Sequence, residues 1–206
     1  MNATSEALKD RDYYIVVDKS GSMGETDTPT GQTRFKYAEE STIAIAKVLE
    51  QYDPDGITVI PFAGGFKVYS NTTASKVSDI FKENQPFGGT VLSPPLTACF
   101  DDYLANKSAG KAKAKGAMVV VITDGQPSDD KEVGNVISKF THKLDSGDDE
   151  FGIAMIQIGR DPAATAFLKN LDDNLTSAKF DIVDTKTIDE VETLGLVETL
   201  LAALND

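Results

Sequence analysis

Two kinds of apolar pattern alternate along the chain. One is the short, near-continuous run: Tyr13–Val17, Ile57–Ile60 with Phe62 beyond it, Ala117–Ile122 and Phe151–Ile158. Runs this short and this continuous read as strands buried on both faces, as in a parallel sheet. The first strand covers 12–18, the second 57–62, the next major one 117–123 and a later one 151–158. The other pattern is apolar residues at steps of three and four, the stripe of an amphipathic helix. Phe35, Ala38, Thr42, Ile45, Ala46 and Leu49 form such a stripe in a helix beginning near Arg34, ended by the turn Asp53-Pro54-Asp55-Gly56. Val77, Ile80 and Phe81 mark a short helix over 75–83; Leu96, Phe100, Tyr103 and Leu104 mark one reaching Asn106. Val133, Val136, Ile137, Phe140 and Leu144 mark a helix opened by Ser128.

Punctuation sharpens several boundaries. Ser93 before Pro94, and Asp161 before Pro162, read as N-caps followed by proline at the first helical position, where a missing N–H costs nothing. The second of these helices runs to about Leu171. Thr187 and Glu190 have the spacing of a capping box and open a last helix carrying Ile188, Val191, Leu194, Leu200, Leu201 and Leu204, with Gly195 inside it. Gly64-Gly65 is a hairpin signal, so the alternating Phe66–Tyr69 reads as an antiparallel edge strand. Phe180–Val183 reads as the final strand.

Strand and helix thus alternate. The expected fold is α/β: a three-layer, doubly wound (Rossmann-like), mostly parallel sheet with one short antiparallel edge strand and helices on both faces. Residues 1–11 are a polar, frayed lead-in, and 12–206 form one domain. A chain of 206 residues buries a large core unaided.

Charge narrows the function classes. The formal net charge is −13, the wrong sign for a nucleic-acid or anionic-membrane binder. The longest apolar runs are far too short to span a bilayer. Cys99 is the sole cysteine, which points to a reducing compartment, and the N-terminus has no apolar signal segment. The expected location is the cytoplasm.

The candidate chemistry is oxygen-based. Asp18, Ser20 and Ser22 follow the first strand at every second position. Gly88-Gly89-Thr90 and Thr123-Asp124-Gly125 are expected at two further strand-to-helix junctions. In a doubly wound sheet such loops converge at the carboxyl rim. Two carboxylates and three hydroxyls suit a hard dication rather than zinc or copper. Taken singly, each acid also reads as a helix cap and each serine as a turn former.

Asp18-x-Ser20-x-Ser22, then Thr90, then Asp124-Gly125 resemble the metal-ion-dependent adhesion site of the von Willebrand factor A domain family, and the order of elements agrees over nearly the whole chain. The resemblance implies Ser20, Ser22 and Thr90 as hydroxyl ligands, and Asp18 and Asp124 as charge-supplying, partly water-mediated ones. It implies a divalent cation, Mg²⁺ ahead of Ca²⁺ or Mn²⁺, completed by an acidic side chain of a partner protein. It also implies a non-enzymatic binding module, of the kind found in prokaryotic stress-response proteins and AAA+ ATPase adaptors. Some relatives change affinity by moving their last helix, here the one containing Gly195.

The alternative is a Mg²⁺-dependent aspartyl-phosphate phosphatase or receiver-like phosphoacceptor using Asp18. Ser20 stands where such phosphatases carry a second acid, and no phosphate loop is present. Glu25 and Asp27, in the long loop beside the site, are candidate lid or partner-contact residues. Lys107, Lys111, Lys113 and Lys115 read as a solvated connection; Asp145, Asp148, Asp149 and Glu150 read as an acidic turn. His142 is the sole histidine, which excludes a two-histidine site.

Overall fold

The structure, a computed structural model, describes Glu6 and residues 8–204; the rest of the lead-in, the last two residues and the side chain of Asp148 lie outside the described residues. Six strands form one sheet: β1 (Asp12–Asp18), β2 (Ile57–Phe62), β3 (Tyr69–Thr72), β4 (Ala117–Thr123), β5 (Phe151–Gln157) and β6 (Val183–Thr187). Their order is β3-β2-β1-β4-β5-β6. All pairs are parallel except β2 with β3. The helices are α1 (Arg34–Leu49), α2 (Ala74–Glu83), α3 (Ser93–Ser108), α4 (Asp130–Thr141), α5 (Pro162–Asp173), α6 (Ile188–Leu194) and α7 (Leu196–Ala202). Among the described residues no helix is long and apolar enough to cross a membrane.

The two-sided burial expected of the apolar runs is present. Side chains alternate across a strand, so Tyr13, Ile15 and Val17 enter one core with Phe35, Leu49, Phe81 and Leu200. Tyr14 and Val16 enter the other with Leu96, Phe100, Phe140 and Leu168. In the second core Phe140 stacks on Phe100 at 4.0 Å and meets Phe151 edge-on at 4.6 Å. The strongest burial lies in the central strands, and it fixes their register: Val17 pairs with Pro61 on one side and Ile122 on the other. One step further, Asp18 and Thr123 stand side by side at the carboxyl rim.

Six expectations need correction. The edge strand is Tyr69–Thr72, not Phe66–Tyr69; Tyr69 pairs with Val59 and Thr72 with Ile57. Pro61 has no N–H to give a ladder beside Phe66–Val68, and Phe66 makes a lone bridge to Phe62. The final strand is Val183–Thr187 rather than 180–183, because an edge strand with solvent on one side needs no apolar run. The helix expected from Ser128 begins at Asp130. Leu92, not Ser93, stands at the N-cap of α3. The last helix is two, broken at Gly195, whose φ of 91° no helix contains. Nor is the described part of the lead-in frayed: Leu8 is fully buried, its carbonyl accepts from the Tyr13 hydroxyl, and Arg11 donates to the Asp149 carbonyl at 2.8 Å.

Candidate metal centre

β1 carries Asp18 to the rim with no exposed surface. Both its oxygens are engaged: Oδ1 accepts the Ser20 N–H at 2.7 Å, and Oδ2 accepts the Thr123 hydroxyl at 2.7 Å. Burial pushes the Asp18 carboxyl up to about 6; the two hydrogen bonds oppose this and the charge of Asp124 adds to it. The chain then makes one 3-10 turn, Gly21–Gly24, pinned by the fully buried Met23. That turn brings Ser22 Oγ to 3.1 Å from Ser20 Oγ and lets it donate to Asp124 Oδ1 at 3.0 Å. Asp124, the first residue past β4, is itself 1 % exposed. Two carboxylates and two serine hydroxyls from loops 102 residues apart therefore share one hydrogen-bonded cluster.

Thr90 arrives differently from expectation. Its loop joins α2 to α3 instead of following a strand, because β3 and α2 intervene. Backbone bonds return it to the rim: Gly21 N–H to the Gly88 carbonyl at 2.9 Å, and Phe87 N–H to the Lys19 carbonyl at 2.8 Å. Ser128 clamps the other side, donating both its N–H and its hydroxyl to the Thr90 carbonyl, each at 2.9 Å. The Thr90 hydroxyl makes no hydrogen bond among the described residues, and it is the loop backbone that ties Thr90 to the rim.

Arg34 was not legible as a site residue. It is 7 % exposed and its Nη1 donates to Asp124 Oδ2 at 2.8 Å. Its Nε and Nη2 grip Asp27 through both carboxylate oxygens at 2.7 and 2.6 Å, and Nη2 pairs with Glu25 at 2.9 Å. Glu25 and Asp27 thus face the guanidinium, not the serine hydroxyls. The hydrogen bonds to Arg34, with its charge, hold the Asp27 carboxyl below the usual range, and those to Asp27 and Asp124 hold the guanidinium protonated. One signal was available: a cation in a helix's first turn opposes the helix dipole and needs nearby acids to stabilise it.

Asp129 was missed as well. Its carboxylate accepts the N–H groups of Leu92 at 2.9 Å and Ser93 at 2.8 Å, capping α3 from across the rim.

The remaining candidates lie elsewhere. Lys107 pairs with Asp145 and Glu150, and Lys113 with Asp55, at the opposite rim. His142 caps the end of α4 with its Nε2 3.2 Å from the Ser177 carbonyl, and Cys99 is fully buried. Among the described residues no three carboxylate, imidazole or thiolate side chains form a closed metal cage. The donors at the rim are two carboxylates and hydroxyls, a set that fits a hard dication with positions left for outside ligands.

A doubly wound α/β domain with a carboxylate–hydroxyl cluster where its central strands end defines the class. The particular family follows: the profile of the von Willebrand factor type A domain matches residues 13–126, and the chain belongs to that family. Among solved structures, a mutant of the PilB minor pilin from Streptococcus sanguinis superposes with a TM-score of 0.65 at 14% identity, covering 96% of this chain and 60% of the pilin. Manganese-loaded TRAP protein from Plasmodium vivax superposes at 0.61 with 16% identity, covering 93% and 74%. The RO (RSR) protein of Deinococcus radiodurans superposes at 0.54 with 16% identity, covering 95% and 34%. At such identities the likeness is one of fold. This chain spans less than two thirds of the pilin's length. No curated protein sequence matches it.

Proposed function

We propose that this domain is a non-enzymatic, divalent-cation-dependent protein-binding module, with Asp18, Ser20, Ser22, Thr90 and Asp124 holding the cation and an acidic side chain of a partner protein completing its shell. The observation that carries this reading is the bridge from Ser22 Oγ to Ser20 Oγ and to Asp124 Oδ1, at 3.1 and 3.0 Å. It gathers hard donors of low total charge from separate loops. The bound cation would supply Lewis acidity toward a carboxylate. The chain's part is to orient the donors: Thr123 and the Ser20 amide fix Asp18, and Ser128 and Asp129 fix the Thr90 loop. Small, oxygen-only donors with few carboxylates favour Mg²⁺ over Ca²⁺, and the manganese in the TRAP structure is consistent with a divalent cation in this fold.

Burial of Asp18, with both oxygens already accepting hydrogen bonds, argues against a phosphoryl-accepting nucleophile. A cytoplasmic, prokaryotic setting of the stress-response or AAA+ adaptor kind is part of the proposal; it rests on the acidic charge and the lone, buried Cys99.

The test is a Mn²⁺ titration followed by loss of the free-ion EPR signal, with capture from a bacterial lysate in Mg²⁺ or in EDTA. Wild type should bind one Mn²⁺, and Asp18→Asn should lose binding at least about tenfold. Captured protein should be released by EDTA and recaptured on adding Mg²⁺. Mn²⁺ binding indifferent to Asp18→Asn, or capture indifferent to EDTA, would refute the reading.

A further inference from the structure

We propose that Arg34 sets the charge of the metal centre and that the acidic loop Glu25–Asp27 acts on the centre through it; the inference rests on the metal-centre reading above. The geometry divides Asp124 in two. Its Oδ1 takes the Ser22 hydroxyl at 3.0 Å and belongs to the cluster of donors. Its Oδ2 takes Arg34 Nη1 at 2.8 Å and belongs to a buried guanidinium. An arginine is charged at every working pH, so Asp18 and Asp124 present the cation with about one net negative charge instead of two. A dication there keeps a net positive charge and a pull on an outside carboxylate.

The loop acids sit on the far side of the guanidinium. Asp27 grips it through both oxygens and Glu25 adds a third contact, while their own side chains are 45% and 61% exposed. They neither reach the serine hydroxyls nor cap the cluster. Their charge reaches the centre by offsetting Arg34. Loop and arginine therefore act in opposite senses: the arginine weakens the hold on a cation, and the acids relieve that weakening.

An arginine serving merely as a staple between the loop and α1 would act differently. Cutting the staple from either end would disturb the centre in the same direction. The sign of two substitutions separates the roles.

The experiment is Mn²⁺ titration by EPR on the full chain, with folding checked by circular dichroism. Arg34→Gln should bind Mn²⁺ about tenfold more tightly or better. Arg34→Lys keeps the charge and should stay near wild type. The double substitution Glu25→Gln with Asp27→Asn should bind severalfold more weakly. Should Arg34→Gln fail to fold, the direction of the double substitution decides, since it alters only partly exposed side chains. Mn²⁺ binding by Arg34→Gln where wild type shows none would support the proposal in its strongest form. Unchanged variants beside a wild type that binds Mn²⁺, or both substitutions shifting affinity the same way, would overturn this proposal alone. Absence of binding in wild type and Arg34→Gln together would overturn the metal-centre reading and the proposal with it.

Discussion

Replacing Asp129 by alanine should loosen the rim without touching any oxygen of the cluster. Helix α3 has an unusual start. Leu92 at the N-cap offers no side-chain acceptor, and Pro94 and Pro95 bring no N–H. The free donors that open the helix are the amides of Leu92 and Ser93, and the Asp129 carboxylate takes both, at 2.9 and 2.8 Å. A hydrogen bond to a charged acceptor contributes about 1.5–3 kcal/mol, and loss of an ordinary helix cap costs about 0.5–2 kcal/mol. Asp129 is half-buried, so water regains part of what the carboxylate gave up, and a loss of about 2–3 kcal/mol is expected for Asp129→Ala. In a domain of this size that lowers Tm by about 4–12 °C. Asp129→Asn keeps one carbonyl acceptor and should lose about half as much. Burial raises the Asp129 carboxyl, but the hydrogen bonds from Ser93 and Leu92 outweigh it and leave it below its ordinary value. A depressed carboxyl stabilises fully above the unfolded pKa and stops doing so as pH falls through the folded one. The gap between wild type and Asp129→Asn, measured by urea unfolding, should therefore be widest at neutral pH and shrink below about pH 4. Because Ser128 beside it clamps Thr90, Asp129→Ala should also weaken Mn²⁺ binding. Wild-type stability in Asp129→Ala, or a gap to Asp129→Asn that does not change with pH, would refute the reasoning.

Two further outcomes follow from the opposite rim. Asp53 is buried, its Oδ1 has no hydrogen-bond partner among the described residues, and Lys113 stands 3.8 Å away; burial pushes the carboxyl up to about 6. A raised carboxyl costs stability as pH climbs through it. Asp53→Asn should therefore gain on the order of 1–3 kcal/mol over wild type at pH 7.5, with the gain vanishing near pH 4; melts at several pH values showing a constant difference would contradict this. Phe140→Ala opens the aromatic cluster with Phe100 and Phe151 and should cost about 3–5 kcal/mol. Mn²⁺ affinity of the folded protein should not change, and a parallel loss of affinity would show that the metal centre is not confined to the carboxyl rim.

The parts of the fold that were legible in the sequence are those where packing writes itself as apolar pattern. β1, β4 and β5 are buried on both faces and appear as near-continuous runs. The edge elements are not buried on both faces. Tyr69–Thr72 and Val183–Thr187 are polar for most of their length, and main-chain pairing holds them where no side-chain period marks them. That Ser20, Ser22 and Asp124 lie together was legible because polar residues just past two buried strands must meet at the carboxyl rim. Arg34 and Asp129 were not. Arg34 takes its meaning from Asp27, 7 residues away, and Asp124, 90 away; Asp129 takes its meaning from amides 36 and 37 residues away. An arginine opening a helix and an acid before one are unremarkable until the sheet brings their partners together.

The register of the central strands explains why the cluster forms where it does. β1 lies between β2 and β4, and its parallel pairing with β4 ends with Val17 opposite Ile122. Both chains then leave the sheet at the same height, so Asp18 meets Thr123 and the next residue, Asp124, reaches Ser22. A slip of one residue would turn the whole of β1 over between two apolar cores. Eleven buried apolar side chains along β1 and β4 would then lose their places, at roughly 1.5–3 kcal/mol for each large one left exposed. The positions of two carboxylates are thus held by the packing of residues that never touch them. The same sheet cannot place Arg34, which enters from a helix and is held by its pairs with Asp124, Asp27 and Glu25. The register thus sets where the carboxylates stand, while the charge beside them comes from a helix side chain, so a substitution at Arg34 changes that charge without shifting the strands.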